Sequence, residues 1–176
     1  MTMPLKITVL GPESTGKSTL CEQLSQHYRT SWVPEHAREY LKKNGIQYSY
    51  NDLLIIAQQQ LQLEDEYARN CNGPLLFIDT NMYVMKVWCE FVFGKCHQFI
   101  LDQIAGRHYD LYLLCNIDLP WEFQEMREYP DLKSRKILFN MYKDLLVHQH
   151  VPWTLVSGEN EKRLQSAVES VNRLLL

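Results

Sequence analysis

The sequence predicts a three-layer α/β fold, a parallel sheet of five strands with helices on both faces. Three observations carry this expectation. Short apolar or β-branched runs alternate with helical stretches in the order βαβααβααβαβα, and such alternation builds a parallel sheet covered by helices. A glycine-bearing turn separates the first run from the first helical stretch. The 176 residues, 45% hydrophobic and 22% charged, suit one globular domain at about 150 residues per domain. Residues 1–176 are therefore read as a single domain, large enough to bury a core without disulfides or a metal.

The elements follow in order. Leu5 to Leu10 is a β-branched run before a glycine, a buried strand. A helix is expected from Lys17 to Tyr28, then a short strand from Thr30 to Val33 stopped by Pro34. His36 to Lys43 reads as a short helix ended by Asn44-Gly45. Asn51 or Asp52 is the expected cap of a long helix reaching Asn70, with Leu54, Ala57, Leu61 and Tyr67 on one face. Asn72-Gly73-Pro74 breaks the chain, and Leu75 to Ile78, wholly apolar and followed by Asp79, has the look of a central parallel strand. Helices are expected over Tyr83 to Phe93 and His97 to Ala105, and a strand over Leu111 to Cys115. Asp118 to Asp131 is polar and carries Pro120 and Pro130, so it reads as a loop or lid, within a lid segment extending to Arg135. A helix over Leu132 to His148, a strand over Trp153 to Val156, the turn Ser157-Gly158 and a helix over Glu161 to Leu175 complete the chain.

Composition excludes several classes. The net charge of −3 argues against a general nucleic-acid binder. No apolar run approaches the about 20 residues of a membrane span. The opening M-T-M-P-L-K-I-T-V-L-G reads as no signal peptide, because its apolar stretch is short and lacks a small-residue cleavage site. Five scattered cysteines without a C-x-x-C pair point to a reducing cytoplasm. Cys89, Cys96 and His97 fit no zinc spacing. The partner expected is thus a small-molecule substrate, with no nucleic acid and no membrane insertion; homo-oligomerisation stays open.

The sharpest signal is Gly11-Pro12-Glu13-Ser14-Thr15-Gly16-Lys17-Ser18, which fits G-x-x-x-x-G-K-[ST] between a predicted strand and a predicted helix. Gly11 and Gly16 let the backbone wrap phosphate, and the N–H groups of Glu13 to Thr19 present partial positive charge at a helix N-terminus. Lys17 is placed to reach the β- and γ-phosphates of ATP, and the Ser18 hydroxyl is a candidate Mg²⁺ ligand. Asp79, at the end of L-L-F-I-D-T, would face this loop across the top of the sheet and complete a Mg²⁺ site. Asp also suits an N-cap for the next helix, and the two roles are compatible. These features together predict a P-loop NTPase fold.

Five segments in order, G-P-E-S-T-G-K-S-T-L, W-V-P-E-H-A-R-E-Y-L, F-I-D-T, Y-D-L-Y-L-L and D-L-P-W, resemble the NadR-type ribosylnicotinamide kinase domain, a P-loop kinase related to nucleoside kinases. The resemblance covers nearly the whole chain. It implies transfer of the ATP γ-phosphoryl group to the 5′-hydroxyl of nicotinamide riboside or a similar small nucleoside or vitamin. The stretch Trp121-Glu-Phe-Gln124-Glu125-Met-Arg127 departs from the family's pattern in the lid.

Further roles follow from that resemblance. Glu35, just after the second strand, matches the carboxylate that accepts the sugar-hydroxyl proton in related kinases; the alternative is an ion pair with Arg38 or Arg29. Arg38 would hold ribose or orient Glu35, or simply face solvent, as would Glu39. Arg127 and Arg135 flank the lid and are suited to neutralise charge on the transferring phosphoryl group. Trp121 either stacks on a cationic ring or packs the lid. Tyr83, Trp88 and Tyr48 are further stacking candidates, with Trp88 also readable as core. Ser157 and Gly158 would supply backbone contacts to adenine, or form only a turn. Two rival functions remain at this stage: an ATP-hydrolysing regulatory module coupled to a partner such as a vitamin transporter, and a polynucleotide end kinase, which the low charge disfavours.

Overall fold

In the computed structural model, which describes residues 3–176, five strands form one all-parallel sheet in the order β2-β3-β1-β4-β5. The strands are β1 (Leu5–Leu10), β2 (Ser31–Val33), β3 (Leu75–Asp79), β4 (Leu111–Cys115) and β5 (Trp153–Val156). The helices are α1 (Lys17–Tyr28), α2 (His36–Asn44), α3 (Tyr50–Asn70), α4 (Met82–Phe93), α5 (Gln98–Gly106), α6 (Leu132–Val147) and α7 (Asn160–Leu175). The expected α/β architecture and all five strands are present. Met1 and Thr2, the first two residues of the opening stretch and of the expected domain, lie outside the described residues.

The register explains the burial. β3 and β4 are flanked on both edges and buried along their whole length, which is why both read as uninterrupted apolar runs. One core layer packs Leu20, Leu24, Phe77 and Val171 between the sheet and α1 and α7. The other packs Leu76, Ile78, Leu114 and Leu138 beneath α3, α4 and α6. A third cluster, Leu53, Ile56, Met85 and Ile100, joins α3, α4 and α5. Among the described residues no helix is long and apolar enough to cross a membrane.

Several boundaries move, each for a local reason. Thr30 stays outside β2 because its hydroxyl turns to donate to the Leu75 carbonyl at 2.5 Å. α3 starts at Tyr50, not beyond Asn51 or Asp52, because Ser49 is the cap: its Oγ accepts from Asp52 N at 3.3 Å, and the Asp52 carboxylate accepts from Ser49 N at 2.7 Å. That reciprocal capping box satisfies two orphan donors. The buried stripe of α3 runs through Leu53, Ile56, Ala57, Gln60, Leu61, Glu64 and Ala68, so Leu54 sits at its margin and two polar residues sit inside it. Asn81, rather than Asp79, caps α4 through its side chain, which accepts from Tyr83 N.

Candidate functional site

The carboxyl ends of the strands open onto a pocket of about 580 Å³, a size usual for small-molecule sites. Its floor is the Gly11–Ser18 loop between β1 and α1. Gly11 has φ 142° and Gly16 φ 76°, and a Cβ on Gly11 would lie 2.9 Å from the Cys115 carbonyl oxygen. Only glycine fits that approach of loop to β4. Gly16 opens α1 in the left-handed region, so the first N–H groups of α1 point into the loop. Lys17 Nζ donates to the Pro12 carbonyl at 2.9 Å, and Thr15 Oγ1 donates to the same carbonyl at 2.8 Å. Ser18 and Thr19 both line the pocket.

Behind Ser18 stands Asp79, with no exposed surface. Ser18 Oγ donates to its Oδ2, while its Oδ1 is buried with no partner among the described residues. Burial and the nearby Glu35 charge push the Asp79 carboxyl up to about 6, against the pull of Lys17, Ser18 and Arg38. Buried polar atoms are rarely left unpaired without a reason. An unpaired carboxylate oxygen beside a serine hydroxyl and a phosphate-type loop is a hard-oxygen donor set, and it fits Mg²⁺.

Arg38 ties this corner to Glu35. Its Nη2 donates to Ser18 Oγ at 3.0 Å and its Nε donates to Glu35 Oε2 at 2.8 Å. Of the two ion pairs open to Glu35 in the sequence, Arg38 makes it; Arg29 instead caps the far end of α1. The segment carrying Glu35 is held by Gln60, whose Oε1 accepts from His36 N at 2.7 Å and whose Nε2 donates to the Pro34 carbonyl at 3.2 Å. Gln60 carries no motif; its only signal is a polar residue on the apolar stripe of α3.

The opposite wall is aromatic. Trp88 and Tyr48 line the pocket with ring centroids 5.0 Å apart at 74°. Trp88 Nε1 donates to the Tyr48 hydroxyl at 2.9 Å, which donates to Glu128 Oε2 at 2.7 Å. Burial raises the Tyr48 hydroxyl's pKa, keeping it a donor. Trp88 therefore belongs to the pocket as well as to its apolar helix, whereas Tyr83 is a core residue.

The loop between β4 and α6, residues 116–131, covers the pocket as a lid; α6 begins at Leu132, so the expected lid segment stops short of Arg135. Arg127 lines it and donates from Nη1 to Ser14 Oγ at 3.1 Å and to the Glu122 carbonyl at 2.6 Å. Burial and the neighbouring Arg38 lower its guanidinium pKa, countered by Glu122, Glu13 and Glu35.

Besides Asp79, which stands behind Ser18, and the core residue Tyr83, the expected contacts Trp121, Arg135, Ser157 and Gly158 fall outside the pocket lining. Trp121 does not present a face to the cavity; its indole N–H turns to Glu13 Oε1 at 3.2 Å and its ring packs edgewise near Phe123. Arg135 is 5% exposed and reaches the carbonyls of Ser14 and Leu119 from beneath, at 3.4 and 3.2 Å. Ser157 Oγ accepts from Asn116 Nδ2 at 3.1 Å, and Gly158 N donates to Asp118 Oδ2 at 2.7 Å, so this turn is bound to the start of the lid.

Comparison with known proteins agrees with this geometry. The chain is 28% identical over 174 residues to the trifunctional NAD biosynthesis/regulator protein NadR of Escherichia coli (strain K12). The match takes in 96% of this chain and 42% of that protein, so the chain spans less than half the length of the curated relative. A crystal structure of NadR protein in complex with NR superposes with a TM-score of 0.75 at 21% identity, over 98% of this chain and 50% of that one. A thymidylate kinase from Ehrlichia chaffeensis superposes with a TM-score of 0.65 at 15% identity, over 99% of this chain and 100% of that one. The fold is thus that of P-loop kinases. The AAA domain family matches residues 6–163, nearly all of the sheet and the loop that floors the pocket, and the chain belongs to that family.

Proposed function

We propose that this chain is an ATP-dependent small-molecule kinase acting on the 5′-hydroxyl of nicotinamide riboside or a closely similar nucleoside. One observation carries the reading. A single pocket joins a phosphate loop, a carboxylate–arginine pair at the sheet edge and an aromatic wall under an arginine-bearing lid. A nucleotide hydrolase has no need of an aromatic wall and a carboxylate–arginine pair beside the phosphate loop.

The loop backbone and Lys17 would bind the β- and γ-phosphates, fixing the donor. Ser18 and Asp79 would hold Mg²⁺, which when bound neutralises charge on the phosphate oxygens. Glu35 would take the proton of the attacking hydroxyl, with Arg38 fixing its rotamer. Arg127 would neutralise charge on the transferring group while the lid excludes water. Trp88 and Tyr48 would take the acceptor's ring, where a cationic ring gains about 0.5–2 kcal/mol from an aromatic face. This role passes to them from Trp121, whose indole N–H is spent on Glu13.

The test is an ATP-consumption screen over nicotinamide riboside, uridine, cytidine and thiamine, with products identified by mass. Phosphorylation of the riboside above the other acceptors supports the reading. Slow ATP hydrolysis with no phosphorylated acceptor would favour a regulatory module instead.

A further inference from the structure

A phosphate-binding loop is an odd place for a carboxylate, since its charge opposes the anion the loop holds. Glu13 lies in that loop, yet its side chain is turned up into the lid. Oε2 accepts from Glu128 N at 3.0 Å, and Oε1 accepts from Tyr129 N at 2.5 Å and from Trp121 Nε1 at 3.2 Å. Two consecutive backbone N–H groups form an anion-holding concavity. Here the loop's own carboxylate fills it, so the charge is absorbed by the lid.

Ser14 is used the same way. It has φ 57°, an unusual value outside glycine. Its hydroxyl donates to the Pro120 carbonyl at 3.4 Å and accepts from Glu122 N at 2.9 Å and from Arg127 Nη1 at 3.1 Å. Both limbs of the lid, Pro120–Glu122 and Arg127–Tyr129, are thereby fastened to two adjacent loop residues, and Arg127 is itself bound to one of them and adjoins the pair bound to the other.

We propose that Glu13 is a positioning residue: by fastening the Glu128–Tyr129 backbone and the Trp121 indole to the phosphate loop, it sets Arg127 over the phosphates. The inference rests on the reading of the pocket as a phosphoryl-transfer site. It gives the second variable position of this loop a mechanical task, registering the lid on the loop that holds the donor. Loss of Glu13 leaves the loop backbone able to bind ATP and leaves Arg127 its bonds to Ser14 and the Glu122 carbonyl, but it releases the adjoining Glu128–Tyr129 backbone and so loosens the placement of Arg127.

The test combines kinetics and amide exchange on E13A, E13Q, R127A and the E13A/R127A double variant. E13A should lower kcat about 10-fold with KM for ATP and for the acceptor changed less than about 3-fold. R127A should lower kcat about 100-fold, and the double variant should fall no further than R127A, because Glu13 acts through Arg127. E13Q, which keeps one acceptor oxygen, should recover part of the loss and guards against misfolding of E13A. The amides of Glu128 and Tyr129 should exchange at least about 10-fold faster in E13A while those of α1 are unchanged. Multiplicative losses near 1000-fold in the double variant, or unchanged lid exchange, would overturn the proposal. A wild-type chain that phosphorylates a different acceptor removes the riboside alone, and the cycle is then run on that acceptor.

Discussion

Two carboxylates are wholly buried at opposite ends of the same sheet, and the fold treats them differently. Glu64, at the amino ends of the strands, receives Lys6 Nζ at 2.8 Å, Arg107 Nη1 at 3.3 Å and the Tyr109 hydroxyl at 2.9 Å. Arg107 also forks onto Asp65 at 2.7 and 2.8 Å, so the cluster is closed on itself. Asp79, at the carboxyl ends, has one serine hydroxyl and an oxygen with no partner. Next to it Thr80 is strained at φ 83° and its buried hydroxyl is also unpaired. The lower end is built for stability. The upper end keeps polar groups unsatisfied, a cost folds carry where a ligand completes the site.

The comparison breaks most visibly at Glu64. Removing one member of a buried charge cluster strands the others and costs about 3–5 kcal/mol. Glu64→Ala should therefore lower Tm by roughly 6–20 °C at ~2–4 °C per kcal/mol for a chain this long. Turnover measured well below the melt should stay within about twofold. A thermal melt within a degree of wild type would mean that the cluster is ornamental and that the two ends do not differ in kind.

Lys17 sits on the other side of the contrast. Lys17→Ala should cut phosphoryl transfer by about 10²–10³, the scale for losing one charge-stabilising donor. Its Tm should move little, because among the described residues Lys17 Nζ bonds only the Pro12 carbonyl of its own loop. Unchanged turnover with a native circular dichroism spectrum would remove the phosphate-loop assignment.

Asp79→Asn sharpens the comparison because its two effects oppose. In the metal-free protein the neutral amide relieves a buried charge that burial already disfavours, so Tm should hold or rise, by ~1 kcal/mol or about 2–4 °C. Activity should fall and the Mg²⁺ needed for half-maximal rate should rise. A lower Tm in EDTA would show that Asp79 is structural, like Glu64.

The same contrast marks what the sequence makes legible. The strands stand out because a strand buried on both faces is apolar without interruption, as in Leu75–Ile78. The phosphate loop stands out because its geometry demands glycine at Gly11 and Gly16. Both are local constraints. Gln60 and Glu64 were not legible, since their partners, the Pro34–His36 segment and the Lys6–Arg107–Tyr109 group, come from distant stretches. Which of its two readings Trp121 takes, lid packing rather than ring stacking, was not legible for a similar reason. Its position after a strand end is local, but the direction of its indole depends on Glu13, 108 residues away. Tyr48 and Trp88 meet only because the loop before α3 folds back on α4.

Asp52 offers the smallest and most local test. It is the half-buried counterpart of the two buried carboxylates, fully partnered but in contact with water. The Tyr40 hydroxyl donates to its Oδ1 at 2.6 Å, and Ser49 N and the Ser49 hydroxyl donate to its Oδ2, each at 2.7 Å. These bonds, the Tyr40 one foremost, hold its carboxyl down at about 2. A carboxylate whose pKa is depressed on folding contributes stability above its unfolded value of about 3.9, and loses it as pH falls toward the folded value. The Tm gap between wild type and Asp52→Asn should therefore be constant from pH 7 down to about 5 and shrink between about 4 and 2. At neutral pH the gap should be about 1–3 °C, the scale of one helix-cap contact in a chain this long. It should track α3 specifically, so Ser49→Ala should show a gap of similar size with a weaker dependence on pH. Melts at pH 7, 5 and 3 decide the matter: a gap that widens on acidification would mean that protonated Asp52 caps α3 better than the carboxylate does, and that satisfaction by donors is not what separates Glu64 and Asp52 from Asp79.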